Sequence, residues 1–155
     1  MVYMVRRRGS HFRQTGVAAV EFAIMLPMLV ALLAAPLFIG RTLWHYTIAQ
    51  KAAYSAAMYM SSIPETEVRS PTLSASSFAV ARDIVLAEMS DIDPALAPYS
   101  VGIFCDGSQC DGLSTPAVVR VTVRVQMHDP FFGTSFPGDG LLLTGEANMS
   151  YIGSN

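Results

Sequence analysis

From Val17 to Gly40 the chain runs for 24 residues with a single ionisable side chain, Glu21. A helix of about 20 residues crosses the roughly 30 Å hydrocarbon core of a bilayer, so this run is long enough to span one. Backbone in lipid has no water to bond to and must satisfy its own donors and acceptors, which predicts a helix over residues 17–40. Pro27 and Pro36 each remove a donor and are expected to kink or loosen it. A cleaved secretory signal would have a shorter apolar core, of about 7–15 residues, with small residues at the cut. Here the best small pair, Ala34-Ala35, is followed by Pro36, and Glu21 interrupts the core.

Charge is distributed unevenly around this run. Residues 1–16 carry Arg6, Arg7, Arg8 and Arg13 and no acid, whereas residues 41–155 hold six basic and eleven acidic side chains. The positive-inside rule then places the basic leader in the cytoplasm and the remaining mass on the other side. A net-acidic outer part gives no electrostatic reason to bind nucleic acid, whose affinity rests on neutralised phosphates. The arginine cluster lies directly before the apolar run, so a topogenic role explains it.

A carboxylate in a membrane helix costs about 2.5–3.5 kcal/mol at the helix centre and less near an end. Glu21 is either an interfacial acid that snorkels or a group awaiting a cation on a neighbouring chain, which would also set register between helices. The order of features around it is specific: a short basic leader, Gly16, then Val17-Ala18-Ala19-Val20-Glu21-Phe22 running into Leu26-Pro27. This resembles the class III prepilin signal of the type IV pilin superfamily and, more narrowly, the TadE-like minor pseudopilins of the Tad (tight adherence) pilus system. The resemblance is sharp over residues 5–45 and extends beyond them only in general layout. It implies a prepilin peptidase that cuts between Gly16 and Val17, with Glu21 as the fifth mature residue. Glu21, followed by Phe22, would then serve assembly. The partners it implies are that peptidase, other pilins or pseudopilins, the Tad secretion machinery and membrane lipid, with no cofactor. The location it implies is the bacterial inner membrane, with the pilus as a destination after assembly. Flp-type major pilins resemble this N-terminus but usually lack a large outer domain, so the roughly 90 residues after Pro64 favour the minor, TadE-like type. The alternative is a permanently anchored envelope protein whose outer domain binds a partner.

Helix is expected to continue over residues 41–63. Leu43, Tyr46, Ala49, Ala53, Ala56 and Met60 recur at spacings of three and four, one helical face that either packs on its own domain or on neighbouring subunits. Trp44 and Tyr46 follow the span, where aromatic residues favour the lipid–water interface. Pro64 is expected to end the helix. A polar linker over residues 64–73 should lead to a second helix, Ser74 to Ser90, capped by Ser74 or Thr72 and striped by Phe78, Ala81, Val85 and Met89. The acids of Asp91-Ile92-Asp93-Pro94 read as turn chemistry, since no calcium-loop spacing follows.

The remainder reads as strands: Tyr99–Cys105, then Ala117–Met127, with Val119, Val121, Val123, Val125 and Met127 on one face, then a segment in which Leu143, Gly145, Ala147, Met149 and Tyr151 alternate with polar residues. The loop from His128 to Gly140 holds Phe131, Phe132 and Phe136, as a core cover or a contact surface. The fold class expected is α+β: a long N-terminal helix, a second helix and a small antiparallel sheet, with an extracytoplasmic domain over residues 64–155. Cys105 and Cys110 suggest a disulfide closing a small loop in an exported domain. Zinc is the rival, but two thiolates do not fill a tetrahedral site and no histidine is near in sequence. His11, His45 and His128 sit in no nucleophile or metal motif, so no catalytic residue is expected and the chain is not expected to be an enzyme.

Overall fold

A computed structural model of the chain describes residues 15–94, 97–128 and 140–153. The leader arginines, His11 and the phenylalanines Phe131, Phe132 and Phe136 lie outside the described residues. The fold is α+β: helix α1 (Thr15–Ser62), a one-turn helix α2 (Glu65–Val68), helix α3 (Pro71–Glu88), and strands β1 (Tyr99–Cys105), β2 (Ser108–Gln109), β3 (Val118–Met127) and β4 (Leu141–Ser150). The sheet is antiparallel throughout, in the order β2-β1-β3-β4. Two compact units divide between Phe38 and Ile39. The helical extension after residue 41 therefore belongs to the outer unit, as its core helix.

Helix α1 runs unbroken through Pro27 and Pro36. In its first unit the large apolar side chains are exposed all round, Ile24, Met28 and Leu32 among them. Such a surface calls for lipid or for other apolar helices rather than water. It is the one helix among the described residues long and apolar enough to cross a membrane, and it fits a single-pass membrane protein.

In the outer unit the helix becomes one-sided. Ala49, Ala52, Ala53, Ala56 and Ala57 are wholly buried, with Met60 and Ile63 continuing the face. The stripe extends back to buried His45, not to Tyr46 or Leu43, which are exposed. His45 precedes Ala49 by one turn of four residues and so lies on its face, whereas Tyr46 and Leu43 are rotated away from it. Short alanine side chains let the sheet come close. A Cβ on Gly145 would lie 2.4 Å from the carbonyl carbon of Ala49 and 2.6 Å from the amide nitrogen of Gln50, so only glycine fits this contact.

Strand β3 is the middle of the core. Val119, Val121, Val123, Val125 and Met127 are all buried on one face, each worth roughly 1.5–3 kcal/mol relative to exposure. Pairing Val121 with Ile103 and Ala147, and Val123 with Val101 and Gly145, puts the apolar sets of β1 and β4 on that same face. Helix α3 adds Ala81 and Val85 to this core, and its C-cap residue Met89 joins them, with Phe78 partly buried against it.

Three expectations need correction. Helix α3 starts at Pro71, three residues before Ser74, because proline's fixed φ suits the first helical position. Ser70 takes the cap position with no side-chain cap bond, and Ser74 is buried inside the helix, its hydroxyl donating to the Pro71 carbonyl at 3.2 Å. The 64–73 linker is therefore mostly helical, since it also holds α2. Finally, β2 is an additional strand: Asp106 and Gly107, both at positive φ, turn β1 back on itself.

Candidate functional site

The expected processing and assembly residues all lie at the start of α1. Gly16 is in its first turn, with open space around the position a Cβ would take. The first-turn N–H groups have no intrahelical acceptors, so unwinding this turn costs few bonds. Val17 and Phe22 are exposed. Glu21 is exposed too, and has no hydrogen-bond or ion-pair partner among the described residues. Val17 and Glu21 are four residues apart on a helix, hence neighbours on one face.

The outer unit holds the second cluster of chemistry. Cys105 and Cys110 form a disulfide, with Cα atoms 4.8 Å apart, across the end of the β1–β2 hairpin. Asp106, in the turn itself, points its carboxylate at the start of β3 and accepts from the N–H groups of Ala117 (3.0 Å) and Val118 (2.9 Å). Gln50 of α1 clasps the edge strand β4 through one residue: its amide donates to the Glu146 carbonyl (2.7 Å) and accepts from the Glu146 N–H (3.1 Å). At the other end of the helix, Tyr151 donates its hydroxyl to the Ile63 carbonyl at 2.8 Å, and the Ile152 N–H donates to the Ser61 carbonyl at 2.9 Å. These bonds occupy carbonyls that a helix end leaves without partners.

Lys51 bridges α1 to α3 through Glu88 at 2.7 Å. The hydrogen bond to Glu88, and then its charge, raise the Lys51 ammonium above the ordinary lysine value. Burial is the main cause holding the Tyr151 phenol above its ordinary range, with the charges of Glu65 and Glu67 adding to it. A groove of about 450 Å³ runs between α3 and β1, lined by Phe78, Arg82, Leu86, Val101 and Ile103 among others. Among the described residues no three His, Cys, Asp or Glu side chains come together as a metal site would require.

Residues 16–58 match the family model described as TadE-like protein. Over this stretch the chain is similar to TadE-like proteins. The match begins at Gly16 and takes in the whole apolar run, then continues along the alanine face as far as Met58. The helices and sheet that follow lie outside it. No curated protein and no solved structure gave a significant match. Within the TadE-like segment the structure keeps Gly16, Val17, Glu21 and Phe22 on one short stretch of helix, far in sequence from the disulfide. The sequence analysis assigns no role to Gln50 or Asp106 and takes Tyr151 only as one more alternating strand position. Of these only Asp106 had a local signal, since Asp-Gly is a strong two-residue hairpin turn.

Proposed function

We propose that this TadE-like chain is a minor pseudopilin that helps assemble or initiate a Tad-type pilus, used in adhesion and biofilm formation. The observation that carries the reading is the family match beginning at Gly16, where the basic leader ends and the apolar helix begins. In this reading prepilin peptidase removes residues 1–16 on the cytoplasmic side and leaves a new amino group on Val17. That amine stands one helical turn from the Glu21 carboxylate, close enough to neutralise it or to exchange it for the amine of a neighbouring subunit. An anionic side chain near a helix N-terminus is also favoured by the helix dipole. The chain is a substrate and then a structural part, not an enzyme. Its outer unit lies on the extracytoplasmic side, where a disulfide persists.

The test is intact mass and N-terminal sequencing of the protein from its native membrane, beside a Gly16→Trp variant. The expected result is a mature chain starting at Val17 in the parent and an uncut chain in the variant, with piliation lost on deletion of the gene. An uncut parent chain in cells with active prepilin peptidase, or normal pili in the deletion strain, would leave a permanently anchored envelope protein.

A further inference from the structure

The outer face of the sheet carries a cleft of about 270 Å³, lined by Pro98, Tyr99, Ser100, Arg124, Gln126 and Leu142. Its level along α1 follows from how β4 lies on the helix. Gly145 abuts the backbone of Ala49 and Gln50, and Ile152 donates to the carbonyl of Ser61. Strand and helix thus run in the same direction, with the stretch Gly145 to Ile152 beside the stretch Ala49 to Ser61. At a rise of about 3.4 Å per strand residue and 1.5 Å per helical residue, with the obliquity those two anchors impose, Leu142 comes roughly level with Trp44. Trp44 lies between exposed Leu43 and exposed Tyr46. All three follow Gly40, the last residue of the apolar run, within about 9 Å of helix. The cleft therefore opens at the end of the outer unit that holds Trp44, where the unit begins in the chain.

The residues there suit a lipid headgroup. Leu142 is 60% exposed, a large apolar side chain on the polar face of its strand. Arg124 is exposed and has no ion pair among the described residues. Farther along the same face Arg120 is differently placed, 3.7 Å from Glu146 and over the Phe104 ring. A guanidinium binds phosphate oxygens in a bidentate fork, and Ser100 offers a hydroxyl beside it. Among the described residues the one charged side chain lining the cleft is the cation Arg124, which favours an anionic headgroup over a zwitterionic one. Trp44 and Tyr46 are suited to the interfacial layer at that depth.

We infer that this cleft holds the phosphate of an anionic phospholipid in the leaflet through which the span exits, with Arg124 as the phosphate ligand and Leu142 as an apolar anchor. The inference rests on the span crossing a bilayer and is independent of any pilus role. It is tested on the full chain in vesicles of phosphatidylglycerol or phosphatidylcholine brominated in their acyl chains. Trp44→Phe removes the chain's one tryptophan, and Leu142→Trp or Ile152→Trp then places a reporter at either end of β4. The expected result is several-fold stronger quenching of the Leu142→Trp reporter than of the Ile152→Trp reporter. That quenching should be greater in phosphatidylglycerol, with the excess abolished by Arg124→Gln. Equal quenching at the two ends, or an excess that survives Arg124→Gln, would overturn it. Release of the parent chain from membranes by alkaline carbonate would overturn the span itself, and this inference with it.

Discussion

The two units divide one helix between two kinds of surface. Before residue 39, α1 shows Leu, Met, Val, Ile and Phe side chains on every side, and none of the large ones is buried. After it, the same helix narrows to a face of alanines at zero exposure, with Gln50, Lys51 and Tyr54 on other sides. The backbone is alike in both, so side-chain size makes the difference. A surface solvated by lipid gains from bulk and asks for no particular shape, whereas a surface packed on a sheet requires the close fit that alanine and Gly145 permit. Tolerance to substitution should therefore change sharply along a single element.

The largest expected effect tests that contrast directly. Gly145→Leu forces a side chain into the backbone of Ala49 and Gln50, and overpacking of this kind costs roughly 3 kcal/mol. Thermal unfolding of the full chain in detergent should show a large drop in Tm for Gly145→Leu. Leu29→Ala, in the exposed stretch, should leave the outer unit's transition where it was. Equal drops would mean the two halves of α1 are not distinguished by packing at all. A smaller effect is expected at the hairpin. Replacing Cys105 and Cys110 together by alanine reopens a loop of sequence separation 5, worth about 2 kcal/mol in unfolded-state entropy. The shift should reproduce that of the parent protein under reducing agent, and a parent insensitive to reductant would show that the bond adds nothing to stability.

The same contrast explains what could be read without coordinates. The span and β3 were legible because each repeats one rule over many residues: unbroken apolarity in the first, strict alternation in the second. The buried face of α1 was legible from Ala49 to Met60 and misplaced before it. Near the span, apolar residues serve lipid as well as core, and spacing cannot tell Tyr46 from His45. Pro71 was read as part of a linker because proline marks both ends of helices, and only context says which. Gly145 was read as one more inward strand position, although its role is to admit a backbone separated from it by almost a hundred residues. The Gln50 clasp on Glu146 and the Tyr151 bond to Ile63 join residues just as distant, and no periodicity records such pairs. Processing at Gly16 and assembly at Glu21 are proposals that rest on a local motif, and no packing bears on them.

The smallest of these effects concerns the end of α1. Tyr151→Phe removes the donor to the Ile63 carbonyl and should cost about 1 kcal/mol near neutral pH, read as a lower denaturant midpoint. It should also change how stability falls in alkali. Burial, then Glu65 and Glu67, raise the Tyr151 phenol in the folded chain, so the native state keeps a proton that the unfolded chain releases. This share of stability is whole below the ordinary tyrosine value of about 10 and is lost as pH rises from there through the folded-state value. Lys51, raised by Glu88, acts with the same sign, its share being whole below the ordinary lysine value of about 10.4. Tyr151→Phe should therefore flatten part of the alkaline decline, and Glu88→Gln in addition should flatten more of it. If the decline in Tyr151→Phe matches that of the parent, the phenol is not coupled to folding. The clasp on the helix end would then be a hydrogen bond alone, with no proton linkage.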